Sequence, residues 1–293
     1  MPALLLLVLA TLFWAGNYVV GERAVTAIDP VSLTWLRWAF AALPLVVIAQ
    51  VVERPHWPTV LRRWRLLIVM AGLGVAGYPL LLYTALQHTT AVSASLINAA
   101  NPALIIVLAV LLRGSRVGGR SWVGVGVGLI GVLLVLTRGD VDRLLSLALN
   151  VGDLLMLGAI LVWTLYTLLG QSLGVPVLTA TAVQAVFTVV ALVPFLAVDG
   201  LTVPSTTGMW WAVLFLAAFP SLGSYICWNL AITRVSSGTA AASMNLVTVF
   251  TIVIAVLLGE PPTVVQLTGG LLVIGGVLLA QSRRSQNGGG SCA

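Results

Sequence analysis

Lysine is absent from this chain of 293 residues, and aspartate and glutamate together number only 8. Charged residues make up 8% of the sequence, where soluble domains carry about a quarter. Hydrophobic residues make up 60% and the mean hydropathy is +1.10. So much apolar surface cannot be hidden in a water-soluble core, so lipid must be the solvent. The net charge of +6 comes wholly from arginine. Most of these arginines sit in short loops between apolar runs, which argues against a nucleic-acid partner. Only two cysteines occur, Cys227 in an apolar run and Cys292 near the end, and they suggest no disulfide, CxxC pair or zinc constellation. No Asp, His or Cys cluster faces the bilayer interior, so neither an enzyme, a metal site nor a cofactor is expected. The acids Glu22, Asp29, Glu53, Asp140, Asp142, Asp153, Asp199 and Glu260 all fall at the ends of apolar runs or between them.

What the chain does have is ten apolar runs: 3–21, 31–51, 66–86, 92–112, 122–137, 152–171, 178–198, 209–232, 239–258 and 264–281. Each is about long enough to cross a bilayer. All are expected to be helices, because backbone groups in hydrocarbon must be satisfied within the segment. The first run could be mistaken for a signal peptide, but no basic residue precedes it, and it carries Trp14 and Asn17. It is taken as the first span. With both termini cytoplasmic, the inner loops hold Arg54, Arg62, Arg63, Arg65, Arg113, Arg116, Arg120, Arg234, Arg283 and Arg284. The outer loops hold Arg23, Arg138 and Arg143. This is a strong positive-inside bias. Residues 282–293 read as a disordered, Gly-Ser-rich tail. Oligomeric state leaves no mark in the sequence.

The stretch 239–277 organises the chain: a small-residue helix start, an apolar run, the turn Gly259-Glu260-Pro261-Pro262, and a second run studded with glycine. A looser copy occupies 91–132. Other matches are in register: Ala10, Trp14 and Gly21 with Ala159, Trp163 and Gly170; Tyr78 with Tyr225; Gly124 and Gly131 with Gly269 and Gly276. The chain thus reads as two repeats, 3–137 and 152–281. Five spans per repeat is an odd number, so the second copy must enter the membrane inverted, an arrangement that places a substrate site between the halves.

Tyr225, Ala231, residues 239–242 and the Gly-Glu-Pro-Pro turn followed by Gly269 and Gly276 resemble the EamA repeat of the drug/metabolite transporter superfamily. The resemblance covers nearly the whole chain and is better in the second half; Arg113-Gly114 replaces the Gly-Glu of the family turn in the first. Within that superfamily the chain is similar to the ten-span bacterial amino-acid exporters of the YddG type. That similarity implies a bundle around a central cavity in the bacterial inner membrane, exporting aromatic or other neutral amino acids, with membrane lipid as its surroundings. Other metabolites or cationic drugs, with proton coupling, are the alternative. With no acid deep in a span, where proton-coupled carriers keep one, facilitated diffusion is expected.

A zwitterion can be held by amides, carbonyls freed at helix breaks and aromatic faces. Asn98 lies on one helical face with Ser95 and Pro102, and Asn245 occupies the equivalent place in the ninth run; cavity lining and interhelical hydrogen bonding are equally open for both. Trp14, Asn17 and Tyr18 correspond to Trp163 and Tyr166, and Tyr78 and Tyr83 to Tyr225, Trp228 and Asn229. Of these Trp14, Asn17, Tyr78, Tyr83, Trp163, Tyr166, Tyr225 and Trp228 are taken with the two asparagines as the candidate substrate site. Trp57, Trp64, Trp122, Trp210 and Trp211 fit an interfacial belt. Arg37, the one charge well inside a run, is read as snorkelling outward to Glu22 or Asp29 in preference to holding a substrate carboxylate. Glycines at 124, 128 and 131 and at 269 and 276 suit close helix approach. Gly77, Pro79, Pro102 and Pro220 are the candidate hinges, since a proline frees the carbonyl four residues back.

Overall fold

The computed structural model of the protein describes residues 2–114, 118–140, 150–170, 172–232, 234–235, 239–240 and 243–281. Arg116, Arg143, Arg283, Arg284, Ala241, Ala242 and the tail lie outside them. The described residues are all-helical. Eight helices are long and apolar enough to span a membrane: α1 (Ala3–Ala24), α2 (Pro30–Val52), α3 (Trp64–Leu86), α4 (Ala91–Leu112), α5 (Gly119–Thr137), α6 (Val151–Gly170), α7 (Val177–Asp199) and α8 (Thr207–Ile232). Two shorter apolar helices follow, α9 (Leu246–Leu257) and α10 (Val264–Gln281). A one-turn helix, Trp57–Leu61, lies between α2 and α3.

Local chemistry sets the ends. Asp29 caps α2 by accepting from the N–H groups of Val31 (3.0 Å) and Ser32 (2.9 Å), with Pro30 in the first turn where its missing N–H costs nothing. Thr90 caps α4 and Thr206 caps α8 in the same way. Burial would raise the Asp29 carboxyl, but hydrogen bonds from Ser32, Thr202 and Val31 outweigh it and hold it below the ordinary carboxylate value. At the other end of α2, Glu53 accepts from the N–H groups of Leu178 and Thr179 and the Thr179 hydroxyl, tying α2 to the first turn of α7.

Three of the helices are irregular in the middle, and a fourth just before its start. The α-helical turns of α3 give way to a π-helical segment at Ala71–Gly77, and those of α8 to one at Phe219–Gly223. Each contains or precedes a proline, Pro79 or Pro220, whose ring and missing N–H break the usual ladder. Helix α4 stops at Asn98 and resumes at Asn101 just before Pro102, and the α9 helix begins only after a turn at Met244 and Asn245. The same two irregularities therefore occur in both halves of the chain, and the turn at Met244 accounts for the shortness of α9.

The two halves pack into each other. Helix α2 lies against α7 through Ala41, Leu45 and Ala49 with Leu178, Ala182 and Ala185. Helix α1 packs on α8 and α9, and its counterpart α6 on α3 and α4. Helices α5 and α10 meet backbone to backbone: a Cβ on Gly276 would stand 2.5 Å from Gly124 O, and one on Gly131 would stand 2.6 Å from Gly269 O. The outward faces stay apolar, with Val198 84%, Leu257 80% and Val264 77% exposed, a surface that only lipid can cover without aggregation.

Candidate functional site

Trp14, Asn17 and Tyr18 of α1 and Arg37 and Trp38 of α2 line one side of a cavity between the halves. Gly74, Tyr78 and Pro79 of α3 and Asn98 of α4 continue it, and Trp163, Tyr225, Met244 and Val247 of the second half close it. The cavity volume is about 40 Å³.

Ring contacts repeat across the halves. Trp14 meets Tyr225 edge-on with centroids 6.1 Å apart, and Trp163 meets Tyr78 at 5.0 Å. Trp228 lies tilted behind Trp14 at 5.4 Å, and Tyr166 tilted behind Trp163 at 5.2 Å. Each tryptophan of one half thus rests on the tyrosine of the other. A hydrogen-bonded chain crosses the first half: the Tyr18 and Tyr78 hydroxyls are 2.7 Å apart, and the Tyr78 hydroxyl donates to Asn98 Oδ1 at 3.5 Å.

Trp14, Asn17, Tyr78, Asn98, Trp163 and Tyr225 of the sequence-selected residues share this cavity. Tyr166 and Trp228 form the layer behind it. Tyr83 is not on the wall. It is fully buried, and its hydroxyl accepts from Arg37 Nη1 (2.8 Å) and donates to Asn17 Oδ1 (2.9 Å). Asn245 is buried beside Met244 with neither amide atom paired among the described residues. Of the hinge candidates, Gly77 ends one π segment with Pro79 just beyond, Pro220 lies within the other, and Pro102 is in the first turn of the resumed part of α4.

Arg37 corrects the sequence reading. It does not snorkel: it is 4% exposed and turns inward, donating through Nε to the Ser221 hydroxyl and through Nη1 to Asn17 Oδ1 (3.0 Å) and Tyr83. The reason is partly supply and partly demand. Asp29 is already occupied in capping α2, whereas Ser221 offers an acceptor inside the bundle. Pro220 deprives the Leu216 carbonyl of its normal N–H, the Ser221 hydroxyl donates to that carbonyl at 2.7 Å, and its lone pairs remain for Arg37. No carboxylate of the described residues pairs with Arg37; Glu260 is engaged by Arg23 at 3.7 Å on the surface. An arginine within a span costs about 2.5–3.5 kcal/mol on insertion scales, and neutral acceptors offset only part of it.

Trp38, Gly74, Ser221, Met244 and Val247 were not selected from sequence. Ser221 carried a usable signal, a hydroxyl directly after a mid-span proline. The others carried none, since an indole or an aliphatic side chain in an apolar run reads the same facing cavity, neighbour or lipid.

The EamA-like transporter family model matches this chain twice, over residues 1–137 and 150–281. The chain belongs to the EamA-like transporter family. It is a multi-pass membrane protein, and several of its relatives are named as transporters. The "Uncharacterized transporter YyaM" of Bacillus subtilis is 29% identical over 277 residues, covering 92% of this chain and 90% of the relative. The "Uncharacterized protein PA1977" of Pseudomonas aeruginosa is 33% identical, covering 96% and 95%. A protein of Streptantibioticus cattleyicolor named "Probable terminal-alkyne amino-acid exporter" is 25% identical, covering 94% and 92%. A solved crystal structure matches 95% of this chain and 96% of its own with a TM-score of 0.68 at 21% identity, a likeness of fold alone.

Proposed function

We propose that this EamA-family protein is a secondary exporter of small neutral amino acids, aromatic ones foremost, in the manner of YddG-type exporters. It acts by alternating access across the bacterial inner membrane, with both termini in the cytoplasm. All ten helices cross the bilayer in this reading, and the two five-helix halves run in opposite senses. The observation that carries it is the cavity, whose aromatic walls come in equivalent pairs from both halves, Trp14 on Tyr225 and Trp163 on Tyr78. Equivalent helix breaks flank it in α3 and α8 and in α4 and α9, and irregular backbone at membrane depth is tolerated only inside protein or along a cavity. Its water-sized room of about 40 Å³ is too small for an amino acid, so the cavity must widen to load one. The relative named "Probable terminal-alkyne amino-acid exporter" supports the substrate class.

Among the described residues no carboxylate lines the cavity, which favours facilitated diffusion over proton coupling and disfavours cationic drugs. The test is uptake into proteoliposomes of radiolabelled L-phenylalanine, L-leucine, a purine and a cationic dye, with and without an imposed proton gradient. Equilibrative uptake of phenylalanine that ignores the gradient is the expected result. Uptake of the dye alone, or uptake strictly dependent on the gradient, would refute the substrate class or the coupling respectively.

A further inference from the structure

The halves share a backbone plan, but their chemistry differs at the cavity. Counted from the starts of α2 and α7, the eighth residue is Arg37 in one and Gln184 in the other. Three residues beyond the paired tryptophans stand Asn17 and Tyr166; four before the paired tyrosines stand Gly74 and Ser221. Around Arg37, then, one end collects Asn17 and Ser221 as hydrogen-bonding partners. At the equivalent place near the other end, the Tyr166 ring lies so close over Gly74 that a Cβ there would be 2.4 Å from it. One end is cationic and polar, and the other is aromatic.

The cationic end is incomplete. Arg37 has used Nε and Nη1 on neutral acceptors, and its Nη2 has no partner among the described residues. Trp38 lines the same cavity, its ring 5.0 Å from the Arg37 guanidinium carbon, and its indole N–H is buried with no acceptor. A buried guanidinium without a carboxylate, beside an unused indole donor, lacks an anion that accepts hydrogen bonds. From this we infer that the site takes its substrate carboxylate-first: a small aromatic or apolar carboxylate docks its anion on Arg37 and Trp38 and lays its side group against Trp163 and Tyr78, which Tyr166 backs. The ammonium of an amino acid is secondary, since the amide oxygens on the wall, Asn17 Oδ1 and Asn98 Oδ1, already accept hydrogen bonds from Arg37, Tyr83 and Tyr78, and ring faces are what else it meets. The inference rests on the cavity being the transport site, as proposed above, and specifies which charge it reads.

Four probes that share a phenyl ring test it by titration calorimetry on the purified full chain: L-phenylalanine, 3-phenylpropionate, L-phenylalaninamide and phenethylammonium. The first two should bind, and the two cations should bind at least about tenfold more weakly, since a charge-assisted hydrogen bond is at stake. Arg37→Gln should weaken 3-phenylpropionate about 10- to 100-fold, with Arg37→Lys in between. The wild-type series decides even where a variant fails to fold. Absence of 3-phenylpropionate binding, or phenethylammonium binding as tightly, overturns the inference. Phenylalanine transport with equal competition by its amide would leave the exporter reading intact and remove the carboxylate-first site. Arg37-dependent binding of 3-phenylpropionate without phenylalanine transport would do the reverse.

Discussion

Gly275 and Gly276 are neighbours in α10, yet adding one methyl group should change stability in opposite directions. A Cβ on Gly276 would lie 2.5 Å from both Gly124 O and Gly128 N, whereas one on Gly275 would meet nothing within 4 Å. The obstacles at Gly276 are backbone atoms of α5, which cannot rotate aside. The helices must therefore part by about 0.9 Å to restore ordinary contact, loosening the seam that also holds Gly131 against Gly269. Overpacking of this kind costs about 1–3 kcal/mol. At Gly275, which is exposed, alanine removes the entropy cost of a helical glycine and gains about 0.5–1 kcal/mol. At about 2–4 °C per kcal/mol, Gly276→Ala should lower the melting temperature in detergent by about 2–12 °C, and Gly275→Ala should raise it by about 1–4 °C. Fluorescence-detected size exclusion after stepwise heating reads both in one experiment, with Gly126→Ala, whose added Cβ also meets nothing within 4 Å, as a second control. A Gly276→Ala protein as stable as the Gly275→Ala protein would show that α5 and α10 do not touch through their backbones.

Ser221→Ala should destabilise by about 1–3 kcal/mol, because it strands both the Leu216 carbonyl and Arg37 Nε; Ser221→Thr, which keeps the hydroxyl, should recover most of the loss in the same melting assay. Asp29→Ala should cost about 0.5–2 kcal/mol at neutral pH as a lost helix cap. The folded carboxyl of Asp29 lies below its ordinary value of 3.8, so its contribution is whole above that value and fades as pH falls through the lower one. Melting curves of wild type and variant should therefore converge in acid, and a gap that persists there would contradict the capping role.

The apolar runs were legible because lipid leaves the chain no alternative to helix, and eight of them appear at full spanning length within a few residues of the expected bounds. The run at 239–258 was misjudged in form: a turn at Met244 and Asn245 interrupts it, and no proline announces that turn as Pro102 does in α4. The paired tryptophans and tyrosines were legible through the repeat, which relates positions without needing to know what they face. Arg37 was not. Charge and depth predict snorkelling for an isolated helix, but the direction of a long side chain is decided by which acceptors neighbouring helices leave free. Here Asp29 is spent on a cap, while Ser221, distant in sequence by far more than the helix length, is brought alongside.

The two halves also show that a repeat preserves shape more faithfully than the residues that produce it. In α3 the proline follows the tyrosine, as Tyr78-Pro79; in α8 it precedes the tyrosine by five positions, as Pro220 and Tyr225. Both nevertheless yield a π-helical segment ending just ahead of that tyrosine or one residue short of it, because a missing N–H on either side of the turn disrupts the same ladder. The cause matters for what surrounds the break. In α8 the residue after proline is a serine, which satisfies the freed carbonyl and still presents lone pairs to Arg37. In α3 the corresponding position is Gly74, which has no side chain to offer and is covered by the Tyr166 ring. Gln184, at the place of Arg37, accordingly has no partner for either amide atom among the described residues. A symmetric scaffold has thus become chemically polar across its centre, and a molecule with one charged end and one apolar end would meet that centre in a single orientation.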